Sequence, residues 1–144
     1  MTVTIQPEII KKIADALDSG MTVFYHIETG ELVAYPDEMH HIYFDASEWR
    51  KEINAVKKER KKYLEFETME TRDSMRMMEH FAENIQVQKT RELFEDVLNR
   101  RKPFQGFKQL LREHPTLQRE WYIFKDEQYI SWVKNQLEAH NLES

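Results

Sequence analysis

The sequence contains no cysteine, and its 144 residues include only 3 glycines and 4 prolines. The lack of cysteine excludes disulfide bonds, thiolate metal sites and cysteine nucleophiles. No apolar run approaches the roughly 20 residues that a membrane-spanning helix needs. Residues 1–12 also lack the basic and apolar regions of a secretory signal. We therefore expect a cytoplasmic protein that does not engage a membrane.

Several sequence motifs of well-known catalytic chemistry are also missing. No serine stands in a G-x-S-x-G context, and no glycine-rich phosphate loop occurs. His40 and His41 are adjacent, and because neighbouring strand residues point to opposite faces, they do not form a chelating pair. We therefore expect no metal site and no cofactor, and we assign no catalytic residue. An enzyme with an unrecognised site ranks last among three candidate functions.

The composition is typical of a soluble, mainly helical domain. Charged residues make up 33% of the chain, hydrophobic residues 40%, and the formal net charge is −5. The length matches the commonest domain size, and no long linker or repeat interrupts it. We expect a single domain over residues 1–144 with one shared core. Within this domain we expect a helix and a hairpin in residues 1–45 and mainly helices in residues 46–144.

The first elements have clear start and stop signals. Pro7 suits the first position of a helix that Gly20 ends. Residues 21–27 and 31–35 then read as the strands of a hairpin with a three-residue loop that ends at Gly30. Neither face of this hairpin is cleanly polar, so we expect both faces to be covered. His26 lies inside it, and we expect local hydrogen bonds rather than a catalytic role.

From Ser47 onward the chain is predicted to be mainly helical. We expect Ser47 to cap a helix, and the spacing of Trp49, Val56 and Tyr63 places them on one face of it. Residues 41–45 are a candidate third strand, and residues 63–67 are a further candidate for a short strand. The fold class is therefore α+β and predominantly helical. It comprises an N-terminal helix, an antiparallel hairpin sheet of two or three short strands, and four to five packed helices.

Residues 50–62 form the strongest basic stretch on this acidic chain. A face that contains Lys57, Lys58 and Lys61 could follow a nucleic-acid backbone. The simpler interpretation, which we favour, is the solvated side of an amphipathic helix, because no large apolar residue stands among these cations to stack on bases. A nucleic-acid-binding protein is thus the second candidate function.

The segment RRKPFQGFKQLL, residues 100–111, combines cations with aromatic residues. Pro103 suits the first position of a helix, and the spacing of its large apolar residues is that of a core-facing side. Gly106 weakens a helix, so we expect it to let a neighbouring element approach closely. The cations then form a small edge for an anionic partner at the helix entrance; they are Arg100, Arg101, Lys102 and Lys108.

Trp121 and Tyr122 are consecutive large aromatic residues near the end of the chain. Both cannot face the same core direction, so we expect one of them at the surface or in an interface. Together with the two-faced hairpin and the lack of a reactive motif, this pair favours the first candidate function. That function is a non-catalytic interaction or regulatory module for an unknown protein partner or for a second copy in a homodimer.

The order of several short motifs resembles Uncharacterised Protein Family 0158, a group of small bacterial proteins. The resemblance spans residues 20–137 and departs from the family pattern where Val133 follows Trp132. It implies a bacterial, intracellular, single-domain protein and transfers no catalytic residue. The matching positions are Glu28 to Glu31, Trp49, Tyr63, Phe66, Met78, Phe81, Lys102 to Lys108, Trp121, Tyr122 and Phe124.

Overall fold

A computed structural model describes residues 2–37 and 44–143. The fold is α+β and predominantly helical, as predicted. Two short 3₁₀ turns, Ala46–Trp49 and Arg60–Lys62, flank the second helix. The strands are β1 (Met21–His26), β2 (Leu32–Pro36) and β3 (Tyr63–Phe66). The helices are α1 (Pro7–Asp18), α2 (Arg50–Lys58), α3 (Thr71–Glu83), α4 (Gln88–Leu98), α5 (Pro103–Glu113) and α6 (Pro115–Glu143).

The chain divides into two compact units. Unit 1 contains the residues up to Thr68 and those from Tyr129 onward, and unit 2 is Met69–Gln128. Unit 1 holds the sheet, while unit 2 consists of helices and their connections. The single domain with one shared core stays a prediction. Among the residues that the structure describes, no helix combines the length and the apolar character required to cross a membrane.

The sheet of unit 1 is antiparallel, and β1 lies between β2 and β3. Its third strand comes from residues 63–66, one of the two predicted segments. The other segment, 41–45, falls mainly outside the described residues, and its last two residues belong to no strand. The predicted cover on both faces is confirmed, because Val23 and Phe24 are 0% and 3% exposed. Phe24 packs with Val56 of α2 and with Tyr63, whereas α1 lies against β1.

The hairpin turn is organised around the side chain of His26. Its Nδ1 atom accepts hydrogen bonds from the backbone N–H groups of Glu28 and Thr29, each at 3.2 Å. Its Nε2 atom lies 2.9 Å from Glu59 Oε2. The prediction of a locally satisfied histidine is confirmed. The loop between β1 and β2 covers residues 27–31, two more residues than predicted, and Gly30 has the expected positive φ of 77°.

The start of α2 differs from the prediction. No side chain caps α2 itself, and Asp45, not Ser47, caps the 3₁₀ turn before it. The Asp45 Oδ1 atom accepts from the backbone N–H of Ser47 at 2.9 Å and from the Ser47 hydroxyl at 2.7 Å. These bonds lower the pKa of the Asp45 carboxyl, since they favour the charged form. They also begin a 3₁₀ turn ahead of the helix. The predicted helix was too long at its other end as well, because α2 ends at Lys58 and Tyr63 belongs to β3.

Unit 2 has an aromatic core to which four helices contribute, α3, α4, α5 and the start of α6. The ring of Phe107, which is 1% exposed, lies 4.9 Å from the Trp121 ring and 5.5 Å from the Phe94 ring. Phe81 packs at 5.2 Å from Trp121. A Cβ atom on Gly106 would lie 2.5 Å from Val97 Cγ1, so the predicted close approach at this glycine is confirmed. The aromatic residues of residues 100–111 therefore belong to the protein interior.

Candidate functional site

Unit 2 contains a groove with a volume of about 860 Å³. The end of α3, the connection to α4, the end of α5 and the start of α6 line it. This volume falls in the range of pockets that bind ligands, roughly 300–1,000 Å³. The apolar lining residues are Phe81, Ile85, Val87, Pro115, Leu117 and Phe124.

Two helix junctions shape this groove. At the first, the Asn84 side chain donates to the backbone carbonyl of His80 at 2.8 Å, and α3 ends. At the second, His114 Nδ1 lies 2.8 Å from the carbonyl oxygen of Leu110, and Pro115 begins the next helix. A proline has no N–H to donate, so it is well suited to a helix start. The groove therefore depends on two short connections that are distant in sequence.

The ionisable groups of the groove are two imidazoles and two carboxylates. The His80 ring packs edge-on against Phe124 at 5.7 Å, and the His114 ring against Phe94 at the same distance. Glu113 and Glu120 are exposed. Within the part of the chain that the structure describes, no group of three histidine and carboxylate residues is arranged to hold a metal ion. The groove thus offers an apolar floor with an acidic margin.

The apolar surface extends beyond the groove itself. Val87, at its edge, is 63% exposed, and Ile123 is 62% exposed. Ile123 follows Thr116 by seven residues on α6, so the two lie on the same helical face, and Thr116 lines the groove. Exposed apolar side chains beside a concave apolar site favour an interaction surface.

The predicted interface pair has split between core and surface. Trp121 is 7% exposed and belongs to the aromatic core of unit 2. Tyr122 is 51% exposed, and the Lys125 ammonium lies 5.5 Å from its ring centroid. Only Tyr122 of this pair can contact another molecule without a change in the core.

The predicted cationic edge lies around the start of α5. Arg100 forms an ion pair with Asp96, one helical turn earlier. Arg101, Lys102 and Lys108 are exposed. Lys102 has a positive φ of 55°, which is unfavourable for a residue with a side chain. All four cations of the edge therefore lie at the surface of unit 2, and Arg100 is ion-paired.

The predicted basic face belongs to unit 1. Lys57, Lys58 and Lys61 are all exposed. Lys57 and Lys58 occupy the last turn of α2, where cations stabilise the negative end of the helix dipole. Their positions therefore have a structural explanation that does not require nucleic acid.

Unit 1 has a second, smaller cleft of about 390 Å³ beside β3. Desolvation raises the pKa of Glu65 there, and a hydrogen bond with the carboxyl of Glu67 raises it further. Arg60 opposes this change from 3.3 Å. The cleft thus contains two interacting carboxyl groups that were not predicted as a pair from the sequence.

Side chains from α6 cover the edge of β3 beside this cleft. The Trp132 indole donates to the backbone carbonyl oxygen of Glu67 at 2.7 Å. His140 Nε2 lies 2.9 Å from the backbone carbonyl oxygen of Glu65. Gln136 both accepts from the Glu67 N–H and donates to its carbonyl. The sequence signal was the four-residue spacing of these hydrogen-bonding side chains along one helix. Covering a strand edge in this way prevents pairing with another chain.

The fold and its groove define a small, predominantly helical α+β protein with a concave apolar surface. A family model described as "Uncharacterised protein family (UPF0158)" matches residues 8–144, and the chain belongs to this family. The UPF0158 protein PA5073 of Pseudomonas aeruginosa is 24% identical over 135 residues, covering 93% of this chain and 83% of that protein. No solved structure matches the chain. The family resemblance seen in the order of motifs is therefore confirmed.

Proposed function

We propose that this protein is a non-catalytic interaction module that binds a protein partner through the groove of unit 2. The groove itself is the observation that supports this proposal most strongly: about 860 Å³ of concave surface with an apolar floor. Its apolar character continues into two residues that are more than 60% exposed, Val87 and Ile123. Extended exposed apolar surface of this kind is characteristic of protein interaction sites.

A protein segment fits this surface better than a small molecule does. Small-molecule sites enclose most of the surface of their ligand. Val87 and Ile123 lie at or beyond the edge of the groove, where such a ligand would leave them in water. A helix that places several apolar side chains in the groove would cover these two residues as well.

Site-specific crosslinking tests this function. A photoreactive amino acid replaces Val87 in the full chain in its native host, and the same amino acid replaces Leu142 of unit 1 as a control. Both positions carry exposed apolar residues, at 63% and 80%. We expect a discrete crosslinked protein from position 87 that Ile123→Asp removes, and none of that mass from position 142. Equal products from both positions would contradict a specific groove.

The same experiment distinguishes a homodimer from a complex with another protein. A crosslinked product with twice the mass of the chain, together with a dimer in sedimentation, assigns a second copy of the chain to the groove. A product of another mass identifies a different partner. Both outcomes support an interaction module, provided that Ile123→Asp removes the product.

Nucleic-acid binding is the alternative function. Its support is the exposure of Lys57, Lys58 and Lys61, which have no ion-pair partner among the residues that the structure describes. Binding to RNA or DNA would have to weaken steeply as salt increases and on charge reversal of these lysines. Charge reversal at Lys134, an exposed cation on α6, is the matched control.

A further inference from the structure

We infer that the partner segment is an amphipathic helix whose polar side carries lysine or arginine next to its apolar face. This inference depends on the proposed function, since it describes the occupant of the same groove. Helices form both sides of the groove, and all the described residues of unit 2 lie in helices or their connections, so no strand edge is available there for strand addition. An apolar groove between helices instead suits a helix that inserts along its own apolar face.

The charge of the groove indicates the polar residues of that helix. Its carboxylates are those of Glu113, at the end of α5, and Glu120, in the second turn of α6. No lysine or arginine belongs to the lining, all of which lies within the described residues. A helix that buries its apolar face in the groove would bring its flanking residues close to these two carboxylates. Acidic residues would be repelled there, and basic residues would be attracted.

The acidic margin is a local feature rather than a result of the net charge of unit 2. This unit contains equal numbers of acidic and basic residues. Two cations next to the margin in sequence have partners on their own helices, since Arg112 donates to Gln109 and Arg119 to Thr116. Arg101, Lys102 and Lys108 of the edge defined above form no ion pair among the described residues, and none of that edge lines the groove. The distribution of charge therefore selects the sign of the partner.

The apolar side of the partner follows from the spacing of the floor. Leu117 and Phe124 on α6 are seven residues apart, and the ring of Phe81 on α3 lies 5.6 Å from the Phe124 ring. A partner helix with apolar residues at positions i, i+3 or i+4 and i+7 would present a stripe of similar length. We expect these anchors to contribute affinity, whereas the basic flank contributes selectivity.

Selection from a displayed library of helical peptides of about 15 residues tests this inference, because shorter helices are marginal in water. The library keeps an apolar stripe and randomises every other position. It is selected on the wild-type protein and, in parallel, on the double variant Glu113→Lys with Glu120→Lys. Affinities of the selected peptides are then measured by fluorescence anisotropy at two salt concentrations.

We expect lysine and arginine to be enriched in peptides selected on the wild type, and glutamate and aspartate in those selected on the double variant. A peptide selected on the wild-type protein should bind the double variant about tenfold or more weakly than it binds the wild type. Added salt should weaken its binding to the wild type. Glu113→Gln and Glu120→Gln repeat the test without charge reversal, and circular dichroism verifies that every variant is folded.

Two different failures can be separated. Peptides that depend on Val87 and Ile123 but show no preference for basic residues would overturn this inference and leave the interaction module intact. Peptides that bind Val87→Asp and Ile123→Asp as tightly as the wild type would overturn the proposed groove itself. Leu142→Asp should have no effect in either case.

Discussion

A Cβ atom on Gly106 would lie only 2.5 Å from Cγ1 of Val97, so α4 and α5 approach each other at a point where only a hydrogen atom fits. The contact joins two helices on whose ends the groove depends. Phe107, next to Gly106, packs against the Phe94 and Trp121 rings of the aromatic core. The close approach of α4 and α5 at Gly106 thus lies directly beside the aromatic core at Phe107.

Replacing Gly106 by alanine tests this contact. Alanine is about 1 kcal/mol better than glycine inside a helix, but overpacking a core costs about 1–3 kcal/mol. The contact at Val97 Cγ1 is far shorter than van der Waals separation, so we expect a net loss of stability in urea unfolding. Val97→Ala is the matched control, and in the double variant the effect of Gly106→Ala should become smaller. A more stable Gly106→Ala variant would contradict the close approach.

Phe107→Ala should reduce the free energy of unfolding by about 3–5 kcal/mol, because the ring is 1% exposed and contacts several aromatic rings. Tyr122→Ala provides the comparison, since its ring is 51% exposed. We expect that variant to remain within about 0.5 kcal/mol of the wild type. Denaturant unfolding of both variants checks the result. A loss below about 1 kcal/mol for Phe107→Ala would mean that the ring is available for binding after all.

Lys102→Gly should stabilise the protein by about 0.5–1 kcal/mol. The positive φ of 55° costs a residue with a side chain about 1–2 kcal/mol, and part of this gain is lost because glycine is more flexible in the unfolded chain. Lys102→Ala removes the same charge without relieving the backbone, so it separates the two effects. If alanine stabilises the protein as much as glycine does, the charge at the start of α5 and not the backbone is responsible.

The Glu59 carboxylate accepts a hydrogen bond from His26, and this bond lowers the pKa of Glu59. A lowered folded-state pKa stabilises the protein above the unfolded-state value of 4.5, and this contribution is lost as the pH falls through the folded-state pKa. We therefore expect Glu59→Gln to be less stable than the wild type at pH 7. The difference should disappear as the pH falls below 4.5. Urea unfolding across this range measures it.

Glu65→Gln should behave in the opposite way, since desolvation raises the pKa of Glu65. The folded protein holds this proton more tightly than the unfolded chain, so stability declines as the pH rises from 4.5 through the raised pKa. Glutamine removes this cost at pH 7, by less than about 1 kcal/mol, because the side chain is only partly buried and water screens its charge. Parallel pH profiles for Glu59→Gln and Glu65→Gln with the same sign would show that one of the two environments is wrong.

Local signals in the sequence account for much of the fold. Pro7 begins α1 because its fixed φ suits the first turn and it has no N–H that needs a partner. Gly20 follows α1 and Gly30 lies in the hairpin loop because both adopt a positive φ that residues with a side chain rarely adopt. The predicted cap at Ser47 was wrong because Asp45 and Ser47 can both accept N–H bonds, and here Asp45 accepts from Ser47 and caps a 3₁₀ turn before α2. Tyr63 fits a helical spacing and an alternating strand equally well, and pairing with β1 selects the strand.

The groove could not be predicted from local patterns. Its two junctions, around Asn84 and His114, are 30 residues apart in a chain whose periodicity only shows which side of each helix is apolar. The sequence did indicate that Trp121 and Tyr122 cannot share one environment. It did not indicate which of them is buried, because that depends on the packing of Phe81 and Phe107 against α6.

The affinity of a groove-directed partner for three forms of the protein tests the central claim most directly. Calorimetry compares the wild type, Val87→Asp and Leu142→Asp, with the crosslinked partner or the tightest selected peptide as the ligand. An interaction module that uses the groove predicts a loss of about tenfold or more for Val87→Asp and no change for Leu142→Asp. Equal affinities for all three forms would contradict it.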